Sequence, residues 1–186
     1  MTLHLARKAF HASGILVVLA YSGLPVDRTW AAVSLWGIVA LLALLDLLRH
    51  RVPALQERFR SVFRHLLARK DERGLNGSTL YFGGCAIAVA LFPQASACGG
   101  ILALALGDPA AAIVGSSVRS PRWRNVSVAG SAACLVAATL GCRFFVPWPV
   151  ALAGGAAATL LEAFSGAKLD NLTIPVGAGF VLWLLA

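Results

Sequence analysis

The stretch "LALGDPAAAIVG", Leu104 to Gly115, sets a glycine, a carboxylate and a proline back to back inside a long apolar run. A carboxylate in hydrocarbon costs roughly several kcal/mol or more. Pro109 removes a helix hydrogen bond right beside it. A membrane tolerates irregular backbone only where it lines a cavity or is buried in protein. The stretch therefore predicts a membrane helix that breaks at Gly107-Asp108-Pro109, with Asp108 facing a polar cavity.

The surroundings support a membrane setting. Of 186 residues, 59% are hydrophobic, and mean hydropathy is +0.78. A soluble domain is usually nearer half apolar. Apolar segments fall at about 9–25, 30–48, 78–92, 97–117, 127–146, 148–165 and 171–186. Period-two alternation is absent, which argues against a transmembrane barrel. The expected fold is all-α: one polytopic bundle over residues 1–186, with about seven spans. Several segments are shorter than the roughly 20 residues that an upright span needs. Arg7 and Lys8 precede the first apolar run as in a signal peptide. No small-residue cleavage site follows and His11 interrupts the run, so a retained first helix is expected.

The formal charge of +8 is uneven. Arg49, Arg51, Arg58, Arg60, Arg64, Arg69, Lys70 and Arg73 crowd one connection. Aromatics are not interleaved with them as a base-stacking surface requires, so nucleic acid is not an expected partner. The positive-inside rule places this segment, and the loop with Arg119, Arg122 and Arg124, in the cytoplasm. The N-terminus is then inside and the C-terminus outside. Within the basic segment, Leu55, Phe59, Val62, Phe63, Leu66 and Leu67 recur at helical spacing after Pro53. They predict an amphipathic helix on the membrane surface. Cys85, Cys98, Cys134 and Cys142 form no C-x-x-C pair and read as small buried hydrophobes.

On this map the costly polar residues collect at one membrane face. Arg7, Lys8 and His11 open the first span. Asp46 and Arg49 close the second, and their i,i+3 spacing also suits a local salt bridge. Asn76, Ser78 and Thr79 open the third. Asp108 lies in the inner half of the fourth. Ser127, Gly130 and Ser131 open the fifth, Glu162 ends the sixth, and Asp170 and Asn171 open the seventh. Like charges held close need a cation. Asp108, Glu162 and Asp170 offer oxygen ligands only, which points to Mg²⁺ or Mn²⁺. Arg7, Lys8 and the loop arginines suit phosphates. The sequons at Asn76, Asn125 and Asn171 fall on inner ends, where glycosylation does not reach.

These motifs, in this order, resemble the CTP-dependent lipid-alcohol kinases: dolichol kinase, phytol kinase and the CTP-using diacylglycerol kinase, relatives of the phosphatidate cytidylyltransferases. "RKAFHASG" resembles R-K-x-x-H…G, and "DLLR" matches D-x-x-R. "GLNGSTLYFGG" resembles G-x-x-G-[AS]-T-Y-x-x-x-G, and "GDPAAAIVG" matches D-P-A-A-x-x-G. "LEAFSGAKLDNLTIP" resembles E-A…D-N-L-x-I-P. The fifth span departs from the pattern: K-[ST]-x-E-G-S is replaced by Val126-Ser127-Val128-Ala129-Gly130-Ser131, without lysine or glutamate. Arg122 or Arg124 is left to supply the charge.

The resemblance implies a transferase that moves the γ-phosphate of CTP (or ATP) to a lipid alcohol: a polyprenol, a shorter isoprenoid alcohol or diacylglycerol. Asp108 would hold Mg²⁺, with Asp170 and Glu162. Arg7, Lys8 and Arg124, with Asn76, Ser78, Thr79, Ser127, Gly130, Ser131 and Asn171, would line the nucleotide site. His11 or Asp46 would take the alcohol proton. The site would open to the cytoplasm from a bacterial cytoplasmic membrane or a eukaryotic endoplasmic reticulum. Two rivals are a cytidylyltransferase acting on a phospholipid and a non-catalytic lipid transporter or lipid-binding protein.

Overall fold

The computed structural model describes residues 2–63, 75–124, 126–166 and 168–186; the side chains of 2–10, 12, 59, 60, 62 and 63 are outside the description. Each of the seven apolar segments is a helix: α1 (Thr2–Gly23), α2 (Arg28–Arg51), α4 (Gly77–Leu91), α5 (Gln94–Ser117), α6 (Val128–Arg143), α7 (Trp148–Phe164) and α8 (Asp170–Leu185). The helix expected after Pro53 is present as α3 (Pro53–Phe63). Val52, at the junction of α2 and α3, is extended (φ −119°, ψ 103°). A residue before proline is pushed out of the helical region, so the chain turns there. Of the proposed apolar stripe, Phe59, Val62, Phe63, Leu66 and Leu67 lie outside the described side chains, as do Arg60, Arg64, Arg69, Lys70 and Arg73.

One feature was not expected. Arg122–Trp123 (β1) and Val126–Ser127 (β2) pair antiparallel between α5 and α6.

α5 is the axle of the bundle, packed against α1, α4, α6, α7 and α8. Every residue from Ser96 to Ala105 is buried. A helix apolar on all sides needs burial, in a protein core or in a membrane, and α5 has the first kind over this stretch. Close approach is built on glycine. A Cβ at Gly100 would collide with the Pro175 carbonyl and lie 2.8 Å from the Gly179 nitrogen. Small residues let helix backbones touch, and dispersion then holds them. The four cysteines are free and buried, as their setting indicated.

α2 lies at the edge and packs on α4. Asp27 caps its start, accepting from the Thr29 and Trp30 amides at 2.7 and 3.1 Å. Arg28 donates to the Val89 carbonyl at 3.1 Å and to that of Ala90. A cation thus sits on the last carbonyls of α4, where the helix dipole favours it. Between these contacts and Asp46, no residue from Trp36 to Leu45 is buried.

By length and composition, α2 and α5 are long and apolar enough to cross a membrane. α4, α6, α7 and α8 are apolar but hold 15, 16, 17 and 16 residues. At 1.5 Å per residue they measure roughly 22–26 Å, against a hydrocarbon core of about 30 Å.

Candidate functional site

α5 does not break at Gly107-Asp108-Pro109. It continues as α-helix from Gln94 to Ser117 with Pro109 inside. Proline costs one ladder bond, and surrounding helices hold the rest of the backbone in place. Gly107 lets α6 approach: a Cβ there would lie 3.1 Å from Cys134 Sγ and 3.4 Å from Ala138 Cβ.

Asp108 faces α1. Its Oδ2 is 3.5 Å from His11 Nδ1, and the two side chains are 17% and 6% exposed. Tyr81 of α4 supports this pair from below. It is fully buried, donates its hydroxyl to the His11 carbonyl at 2.9 Å, and sets its ring edge-to-face with the imidazole at 5.3 Å. Gly14 makes room, since a Cβ there would collide with the Tyr81 hydroxyl.

The second polar centre joins α2 to the start of α4. Asp46 Oδ1 lies 3.0 Å from Arg49 Nε, and both side chains are buried. Asp46 Oδ2 accepts the Asn76 amide at 2.8 Å and the Thr79 hydroxyl at 2.7 Å. Both oxygens are engaged, so the carboxylate fixes the Asn76–Thr79 turn. The local salt bridge expected from the spacing is present.

The third contact ties α8 to the same turn. Asn171, buried, donates Nδ2 to the Gly77 carbonyl at 3.1 Å. Asp170 Oδ1 accepts the Asn171 amide at 2.8 Å, a carboxylate at a helix N-terminus. Gly84 admits α8: a Cβ there would be 2.7 Å from both the Asn171 carbonyl and Pro175 Cγ.

The fourth joins α5 to α6. Ser127 caps α6 through Oγ, which accepts the Gly130 amide at 3.1 Å. A Cβ on Gly130 would lie 2.8 Å from the Ala111 carbonyl, so the glycine brings this helix start against "DPAAAIVG". Behind it, the Cys134 thiol faces Glu162 and Thr159 and lies within the field of Asp108. Ser78 and Ser131 are half-buried at the starts of α4 and α6.

The contacts bring His11 to Asp108, Asp46 to Asn76 and Thr79, Asn171 to Gly77, and Ser127 to Gly130. They do not gather Asp108, Glu162 and Asp170 into a cage. Among the described residues no group of three or more His, Cys, Asp or Glu could hold a metal ion. The side chains of Arg7 and Lys8, and all of Asn125, lie outside the described residues. Arg124 is exposed and stacks on Trp123 and Phe164, 5.6 and 5.9 Å from their ring centres. The sequence reading missed those two aromatics, and Tyr81 as the support of His11. An aromatic in an apolar segment carries no mark of its partner.

No protein-family model matches the chain, and no solved structure matches it. An uncharacterized protein of Rickettsia prowazekii (strain Madrid E) is 30% identical over 71% of this chain and 65% of its own. CTP-dependent diacylglycerol kinase 1 of Eremothecium gossypii is 31% identical over 91% of this chain and 63% of its own. The chain spans a little under two thirds of the length of each. Over nearly all of its own length, this chain is similar to a CTP-dependent lipid kinase.

Proposed function

We propose that this is a membrane-embedded kinase that transfers the γ-phosphate of CTP to the hydroxyl of a lipid alcohol, diacylglycerol or an isoprenoid alcohol. The observation that carries the reading is convergence. Motifs far apart in sequence meet at one end of the bundle through the His11–Asp108, Asp46–Thr79 and Gly77–Asn171 contacts and the approach of Gly130 to Ala111. The similarity to a CTP-dependent diacylglycerol kinase supports the same reading.

Phosphoryl transfer asks a protein mainly to position reactants and neutralise charge. Mg²⁺ needs only one or two carboxylates when phosphates and waters complete its shell. Asp108, partly exposed at the polar end, fits that mode as a single carboxylate; Asp170 and Glu162 are not gathered beside it. The bound metal would neutralise phosphate charge. Asp108 also lies beside the imidazole of His11, 3.5 Å from Nδ1, and His11 would take the alcohol proton. The alcohol oxygen bonds to the γ-phosphorus, the bond to the bridging oxygen breaks, and CDP leaves. Asp46 holds the Asn76–Thr79 turn. Arg7, Lys8 and Arg124 meet the phosphates.

The fate of each phosphate tests the reading. Purified protein with a panel of lipid alcohols should move label from γ-labelled CTP into the lipid phase. Label from α-labelled CTP should stay in water. The reverse, with pyrophosphate released, assigns a cytidylyltransferase. No transfer from CTP or ATP assigns a lipid-binding protein.

The exposed apolar surface of α2, including Trp30, Trp36, Leu41, Leu44 and Leu45, supports embedding in lipid. Seven spans with the basic 49–73 segment in the cytoplasm remain the topology proposed. The four native cysteines are buried, so Lys70→Cys offers a clean probe. In intact cells an impermeant thiol reagent should leave it unlabelled until the membrane is opened. Labelling before that reverses the topology.

A further inference from the structure

We propose that Trp123, Arg124 and Phe164 form a phosphate clamp, with Arg124 as the binding group and the two rings as its positioning residues; naming nucleotide as the first source of that phosphate rests on the kinase reading.

The register Arg122↔Ser127 and Trp123↔Val126 leaves two residues to turn the hairpin. Such turns demand positive φ and favour Gly, Asn or Asp. Arg124 stands there with φ 53°, the one non-glycine residue with positive φ among those described. An arginine pays backbone strain at this position that asparagine would largely avoid. Strain of this kind clusters at functional sites.

The side chain shows what the strained position provides. The guanidinium lies over Trp123 and Phe164, whose rings meet edge-to-face at 5.2 Å. Stacking covers the flat face of an arginine and leaves its N–H edge free to form paired bonds. No described residue takes a hydrogen bond from that edge. A planar fork held in place matches a phosphate oxygen pair. Both rings are half exposed, 52% and 59%, so the clamp is open to a ligand. Its surroundings are the candidate site: Phe164 lies half a turn past Glu162 on α7, and β2 ends at Ser127, the cap of α6.

Arg124→Asn separates binding from folding, because asparagine accepts the left-handed backbone. Protein in phosphatidylcholine nanodiscs should bind labelled CTP about tenfold more weakly after this change, with its melting temperature unchanged or raised. Arg124→Lys keeps the charge but loses the fork and should restore only part of the affinity. Phe164→Ala should weaken CTP binding severalfold with every charge intact. A parallel arm measures phosphatidylglycerol retained by the detergent-purified protein. Loss in that arm alone assigns the phosphate to a lipid headgroup and leaves the clamp standing. Unchanged CTP binding and unchanged lipid retention in Arg124→Asn overturn the clamp. A chain that binds CTP through Arg124 yet transfers no phosphate sinks the kinase reading and not the clamp.

Discussion

Asp108→Asn should lower turnover by about 10²–10⁴-fold, the range for losing a group that orients or neutralises charge in the transition state. The amide matches the carboxylate in size, so packing against α1 should survive. It also still offers an oxygen to His11 Nδ1, 3.5 Å away. What it lacks is the negative charge that would hold a cation and stabilise a protonated imidazole. The helix itself should be indifferent, because α5 already passes through Gly107-Asp108-Pro109 without a break. The checks are CTP-dependent phosphorylation and a thermal melt on the same preparation. Near-normal turnover would remove Asp108 from the chemistry, and with it the proposed metal site.

Asp46→Ala should act on the fold instead. It leaves Arg49 buried without its carboxylate. It also strips the Thr79 hydroxyl and the Asn76 amide of their acceptor. Removing one partner of a buried pair costs about 3–5 kcal/mol. At roughly 2–4 °C per kcal/mol for a chain of this size, the melting temperature should fall by about 10 °C. Replacing both partners, Asp46→Leu with Arg49→Leu, should recover much of the loss, since neither charge is then stranded. A single variant that melts within a degree or two of the parent would mean the pair stabilises nothing.

Much of the fold was legible because apolar runs in this chain are long and sharply bounded by charges and prolines. The segment read as 30–48 became α2, Arg28–Arg51, and that read as 97–117 became α5, Gln94–Ser117. The helix break at Pro109 was misread because local propensity speaks for an isolated helix. Here the helices packed around α5 outweigh one lost hydrogen bond. The hairpin was invisible: Arg-Trp and Val-Ser are too short to show a period. For the site, the end of the molecule was legible and the pairings were not. Polar residues at the ends of apolar runs declare a face. That His11 meets Asp108, or that Asp46 meets Thr79, depends on how α1, α2 and α4 rotate about their axes. That rotation is set by contacts such as Gly14 against Tyr81, which no single motif encodes.

α2 is pinned near its N-terminus by Arg28 on the carbonyls of α4 and near its C-terminus by Asp46. Between the pins Ala31 and Leu35 pack into the core, but no side chain from Trp36 to Leu45 is buried. It resembles a beam on two piers. The piers fix where the beam lies, so most side chains from Trp36 to Leu45 are under little constraint from the rest of the bundle. Exchanges among Leu, Ile, Val and Phe from Trp36 to Leu45, Val39 apart because it packs on the core, are then close to neutral, and this stretch can drift in sequence while Arg28, Asp46 and Arg49 hold the helix in place.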